Sequence, residues 1–190
     1  MMKYLLNVIP VLFVFILLTS CNNNSEFLIE KNRVGPLTNE TEIQELASIF
    51  SSDSLVAHLS EGALGFGGAM MESEDEFLVY SKEGEHLLTV VAENPLDSTS
   101  LIDRVEIISK SYKTKTNVGI GSTFDQVNLN VQIDRVEKGL TSAILYVDEL
   151  NATLVIDQKE LGMNSLRPGK MLLERIPGDS EFRSFTLWFD

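Results

Sequence analysis

The chain has one cysteine, Cys21, among its 190 residues. No internal disulfide is available, so the core must hold the fold even in an oxidising compartment. Histidine is almost as scarce, with only His58 and His86, each alone in a strand-like run. Both read as sheet residues, because a catalytic or metal site needs partners that neither has nearby. Basic charge is thin: 15 Lys and Arg stand against 28 Asp and Glu, for a net of −13 at neutral pH. Such a surface is a poor partner for nucleic acid or anionic lipid. The richest basic run, KSYKTK from Lys110 to Lys115, reads as the solvated end of a strand. G-x-S-x-G, H-E-x-x-H and Walker patterns are absent. Gly65-Phe66-Gly67-Gly68 lacks the G-x-G-x-x-G spacing, and acids follow where a helix start would bind phosphate. The sequence therefore implies no cofactor, no metal and no catalytic residue.

What is present begins at the N-terminus. Lys3 precedes an almost wholly apolar stretch from Leu5 to Leu18. Its 14 residues make a helix of about 21 Å, short of the roughly 30 Å hydrocarbon core, which favours a secretory signal over a membrane span. An A-x-A-like cleavage site is absent. Instead Leu18-Thr19-Ser20-Cys21 resembles the lipobox of bacterial lipoproteins. That resemblance implies diacylglycerol on the Cys21 sulfur, cleavage after Ser20 and acylation of the new amino terminus. Several acyl chains give a firmer membrane anchor than one. Asn22 follows the cysteine, which by the sorting rule of some two-membrane bacteria favours the outer membrane. Loss of Lys3 with the signal leaves 14 basic against 28 acidic side chains, a net of −14.

The expected organisation is a signal peptide over 1–20, a lipidated cysteine and flexible tether over 21–33, and one domain over 34–190. VGPLTNETEI (Val34 to Ile43) and VGIGSTFDQV (Val118 to Val127) look alike, which suggests similar halves at 34–117 and 118–190. Each reads as a turn into a short helix. Thr38 or Asn39 is the expected cap of the first, with Ile43, Leu46, Ala47 and Phe50 on one apolar face. Ser122 and Asp125 have cap spacing in the second. Strands follow each helix. EFLVYS and HLLTVVAE flank a Gly84 hairpin, and SAILYVD and ATLVID flank another at Glu149 to Asn151. Leu129, Val131 and Ile133 alternate with Asn130, Gln132 and Asp134 as a half-buried strand. At the end Phe185, Leu187 and Phe189 share one face, and Trp188 points the other way. The fold class is α+β: antiparallel sheet with few short helices packed on it.

Glu61 to Glu76 fits no element and its glycines and acids read as a mobile loop; the sharper alternative is a loop that orders on a partner, with Phe66, Met70 and Met71 as adaptable contacts. Its acids, Glu72 to Glu76, read as solvated; calcium is the sharper alternative, though the EF-hand glycine is missing. Asp53-Ser54-Leu55 and Asp97-Ser98-Thr99 resemble O-glycosylation triplets of some two-membrane bacteria, with Ser54 and Ser98 as acceptors. VGPLTNETEIQELASIF, GEHLLTVVAEN, IDRVEIIS and VGIGSTFDQV, over roughly Val34 to Val127, are similar in order to segments of small sigma-E-regulated envelope lipoproteins without known activity. YVDELNATLVID looks like uncharacterised lipoproteins of other two-membrane bacteria. These resemblances imply an envelope location and no established catalysis. The expected function is a lipid-anchored envelope module that binds a protein partner. The alternative is a small-molecule or glycan binding protein or enzyme with no recognisable motif.

Overall fold

The computed structural model describes residues 26–60, 74–162 and 169–190. In the first half lie β1 (Leu28–Glu30), β2 (Arg33–Val34), β3 (Leu37–Thr38), a 3-10 turn (Ile43–Glu45) running into α1 (Leu46–Ile49), β4 (Ser54–His58), β5 (Glu76–Tyr80), β6 (His86–Ala92) and β7 (Ile102–Ile107). Then come β8 (Lys113–Thr114), α2 (Phe124–Asn130), β9 (Arg135–Lys138), β10 (Ser142–Val147), β11 (Ala152–Asp157), β12 (Gly169–Lys170), a 3-10 turn (Leu173–Arg175) and β13 (Ser184–Trp188).

Nine of these strands form one antiparallel sheet in the order β12-β9-β10-β11-β13-β7-β6-β5-β4. Two four-stranded meanders, β4 to β7 and β9 to β13 without β12, meet where β7 pairs with β13. A short helix precedes each meander. Period-two alternation sends one side chain in and the next out. One buried row consequently crosses eight strands: Leu55, Val79, Leu88, Ile107, Phe185, Leu154, Leu145 and Val136. All but the edge residue Leu55 are buried, and each contributes about 1.5–3 kcal/mol by leaving water. Ile43, Leu46 and Phe50 from the first helical segment, and Phe124 and Val127 from α2, join the same core cluster. This is the expected α+β class, with the helical segments packed on one face of the sheet; on the opposite face Val91 is fully buried and Thr89 and Thr186 are nearly so.

A smaller sheet, β3-β2-β1-β8, ties the start of the domain to its middle. Here β1 runs parallel to β8, with Leu28 opposite Lys113 and Ile29 opposite Thr114. Ile29 is only 1% exposed, and Val34 and Leu37 are fully buried. The folded region thus starts before residue 34, inside the stretch expected to be tether. The same sheet corrects KSYKTK. Tyr112 is 2% exposed and packs edge-on against Phe27 at 5.1 Å, because β8 pulls it inward.

The helix starts also differ from expectation. Thr38 lies in β3, and Asn39 donates its side-chain N–H to the Asp190 carbonyl at 2.8 Å. The N-cap is Glu42, whose backbone N–H donates to the Glu45 carboxylate at 2.9 Å. Ala47 is exposed, while Ile43, Leu46 and Phe50 are buried as expected. In the second half Thr123, not Ser122, caps the helix. Its Oγ1 accepts the Gln126 N–H, and its own N–H donates to Gln126 Oε1 at 3.0 Å. Ser122 is buried and accepts the Gly119 N–H at 3.1 Å. Leu129 and Asn130 belong to α2, so the strand expected from residue 129 begins only at Arg135. Leu129 is 84% exposed, whereas Val131 and Ile133 are buried. Both expected hairpins are present, with Gly84 (φ +85°) and Asn151 (φ +52°) in the left-handed region that tight turns need.

Candidate functional site

The face of the large sheet opposite the helices carries the richest set of binding-type side chains. Its central row runs Val56, Leu78, Thr89, Glu106, Thr186, Thr153, Tyr146 and Arg135. A second row runs His58, Glu76, Val91, Arg104 and Trp188. These are the alternate positions of strands whose other residues fill the core, so the same periodicity builds both surfaces.

Trp188 is 37% exposed, facing outward as expected. Its Nε1–H donates to Thr153 Oγ1 at 3.2 Å, and the Arg104 guanidinium lies 5.4 Å from its ring. Arg104 is itself pinned by Asp103 at 2.9 Å and by Glu74. The hydrogen bond to Arg104 holds the Glu74 carboxyl below its ordinary range, and the same bond raises the guanidinium further. On the other meander, the Arg135 guanidinium sits 3.8 Å from the centre of the Tyr146 ring, and the Tyr146 hydroxyl donates to Glu137 at 3.3 Å. Aromatic rings, arginines and threonine hydroxyls in fixed positions are suited to recognising another surface. Thr89 Oγ1 also lies 3.2 Å from His86 Nε2, so one of these hydroxyls sits beside an imidazole.

His58 lies in the edge strand β4, and His86 opens β6. The His86 ring stacks on Tyr80 at 4.8 Å, and its Nε2 is 3.0 Å from the Leu88 carbonyl. The two histidines are sheet residues and are not brought together. Among the described residues no group of three or more His, Cys, Asp or Glu gathers where a metal could be held.

Cys21, Phe66, Met70, Met71 and the 61–73 part of the expected loop lie outside the described residues, as does Glu72. The described acids of ESEDE are dispersed. Glu74 holds Arg104, Glu76 is in β5, and Asp75 is 3% exposed. Asp75 accepts the Ser60 N–H at 2.8 Å and the Leu96 N–H at 2.6 Å. Burial opposes its ionisation, but these backbone donors outweigh it and keep its carboxyl below the ordinary range. Ser54 and Ser98 are both exposed. Asp97 accepts the Thr99 hydroxyl at 2.7 Å and its N–H at 2.9 Å, which lowers the Asp97 carboxyl.

No protein-family model matches the chain, and no curated protein matches it. Among solved structures it is similar to the uncharacterized protein yfeY from Escherichia coli. The identity is 14% and the TM-score 0.50, over 84% of this chain and 98% of that one. At that identity the likeness shows the fold alone, and the neighbour's title assigns no activity. Among the described residues no helix is long and apolar enough to cross a membrane.

Proposed function

We propose that this chain is a lipid-anchored envelope protein, held to a membrane through Cys21, that works as a non-catalytic binding module. Its Trp188 face of the large sheet is the surface that meets a protein partner of the envelope. The carrying observation is the Trp188–Arg104 and Tyr146–Arg135 pairs standing on the sheet face opposite the core helices. Trp, Tyr and Arg are the residue types that dominate binding energy at protein interfaces. The lipobox-like LTSC and the apolar stretch before it support the anchor and the envelope location. Asn22 supports the outer membrane.

The test is chemical crosslinking in intact cells, followed by purification through a C-terminal tag and mass spectrometry. One reproducible envelope protein, recovered with wild type and lost with Trp188→Ala and Arg135→Ala, is the expected result. Recovery unchanged by both substitutions removes this sheet face as the binding surface. A defined turnover by the purified protein sinks the non-catalytic reading and returns weight to the small-molecule or glycan alternative.

A further inference from the structure

A cavity of about 390 Å³ lies away from the Trp188 face of the sheet, between the β1–β3 clasp, the end of α1 and the β5–β6 hairpin. Its apolar wall includes Phe27, Ile49, Phe50 and Leu87, with Tyr112 beside them. Its charged lining is one-sided: Glu26, Asp53, Glu83 and Glu85 against Lys82 alone. Glu85 accepts the Ser109 hydroxyl at 2.5 Å and so is already turned to a partner. Glu26 and Asp53 are the two carboxylates whose charge acts on the Tyr112 hydroxyl.

Tyr112 is the second, independent observation. Its side chain is 98% buried, being 2% exposed, yet it lines the cavity. Among the described residues nothing is hydrogen-bonded to its hydroxyl. The hydroxyl faces the cavity, where a ligand N–H can meet its oxygen. Burial, and then the two carboxylates, push its ionisation up, so at neutral pH the oxygen is a neutral acceptor. An aromatic and aliphatic wall, a neutral phenol acceptor and an excess of carboxylate together select one chemistry. Anions are repelled, and a neutral polar molecule leaves the carboxylates unmatched.

We propose that this cavity binds an organic cation, a primary ammonium or guanidinium on an apolar stem. The stem lies along Phe27 and Phe50, and the N–H groups reach the Tyr112 hydroxyl and the Asp53 and Glu26 carboxylates. The cation comes either from a free amine or from a lysine or arginine side chain of another protein. Its size is that of other ligand pockets, which run to roughly 300–1,000 Å³.

The experiment is calorimetric and NMR titration of the full chain in an uncharged detergent. The probes are 1,5-diaminopentane, the blocked tripeptide acetyl-Gly-Lys-Gly-amide, and 1,5-pentanediol as a stem of equal length without charge. The expected result is saturable binding of at least one cation, with shifts at Leu87 and Ile49 methyls, and no binding of the diol. Asp53→Asn weakens it about fivefold, as expected for a partly exposed ion pair. Tyr112→Phe weakens it while the melting temperature is held or raised, which separates a ligand role from a packing role. Glu174→Gln, in the exposed 3-10 turn after β12, leaves it unchanged. Diamine binding alone identifies a free amine, and tripeptide binding alone identifies a side chain. Failure of both cations, equal binding of the diol, or indifference to both Asp53→Asn and Tyr112→Phe overturns the proposal. Loss of partner capture by Trp188→Ala leaves these titrations unaltered, so the two readings fail separately.

Discussion

Asp75 offers the sharpest test of how the first meander is held. Its two carboxylate oxygens take different backbone donors, Ser60 just after β4 and Leu96 in the loop after β6. Leu96 has φ +61°, a left-handed conformation that a leucine adopts only when its surroundings hold it there. Asp75→Asn keeps the shape but replaces one acceptor oxygen with an NH₂ group facing an N–H. One charge-assisted bond is lost and one buried donor is left unmatched, at about 2 kcal/mol. For a domain of this size that is roughly 4–8 °C in melting temperature. The sign of the pH dependence follows from the lowered carboxyl. Its folded-state value lies below the ordinary 3.8, so its contribution is complete above about pH 3.8 and is lost as pH falls through the folded value. Melting followed by near-UV circular dichroism from pH 7 down to 3, for wild type and variant together, isolates this residue from the general effect of acid. The gap between the two curves is full at pH 7 and narrows at the acid end. Equal melting temperatures at pH 7 refute the brace; a gap that widens on acidification refutes the sign.

Phe185→Ala empties the middle of the buried row at the β7–β13 seam and should cost about 4 kcal/mol, read by urea unfolding. A loss under 1 kcal/mol shows that the meanders are not joined through that row. Gly35 and Gly84 both have positive φ, at +57° and +85°, but a Cβ on Gly35 runs into the Glu26 carbonyl while one on Gly84 meets nothing within 4 Å. Gly35→Ala should therefore destabilise by about 2 kcal/mol or more, and Gly84→Ala by about 1 kcal/mol, in the same assay. Cys21→Ser should move the protein from the membrane to the soluble fraction; if both forms float equally with membranes, the lipobox reading is wrong.

Strands such as β10 and β11 were readable because each buries one face. SFTLWF alternates so regularly that the inward Phe185 and Leu187 and the outward Trp188 follow from it directly. Helix ends were less readable. Ser122 and Thr123 are adjacent capping residues, and only the reciprocal pairing with Gln126 picks Thr123. Residues 129–134 carried a misleading pattern: the last residues of α2 continue into Val131 and Ile133 with strand-like alternation. Tyr112 hid between lysines, although a lone aromatic in a basic run was itself a signal of burial. The candidate site was scarcely readable, because its contacts are long-range. Asp75 reaches Ser60 across 15 residues and Leu96 across 21, and Arg104 meets Trp188 only when β7 pairs with β13.

Most of the displaced carboxyls trace to structural partners within the fold. A catalytic centre shifts a group so that it can exchange a proton with substrate. Among the described residues the lowered carboxyls each have a holding partner: Glu30 has Lys115, Glu74 has Arg104, Asp75 has two backbone N–H groups, and Asp97 has Thr99. Lys113 is lowered by burial, then by Lys110, and its ammonium is already donated to the Ile120 carbonyl at 3.1 Å. On the Trp188 face of the sheet the same pairing stiffens the anchors. Arg104 is fixed by two carboxylates before any partner arrives, and Trp188 and Tyr146 by one hydrogen bond each. Ordering a long side chain at an interface costs about 0.5–1.5 kcal/mol, and these side chains have met that cost during folding. In the proposed function this side of the nine-stranded sheet is the docking surface, with its arginines and aromatic rings ordered by folding.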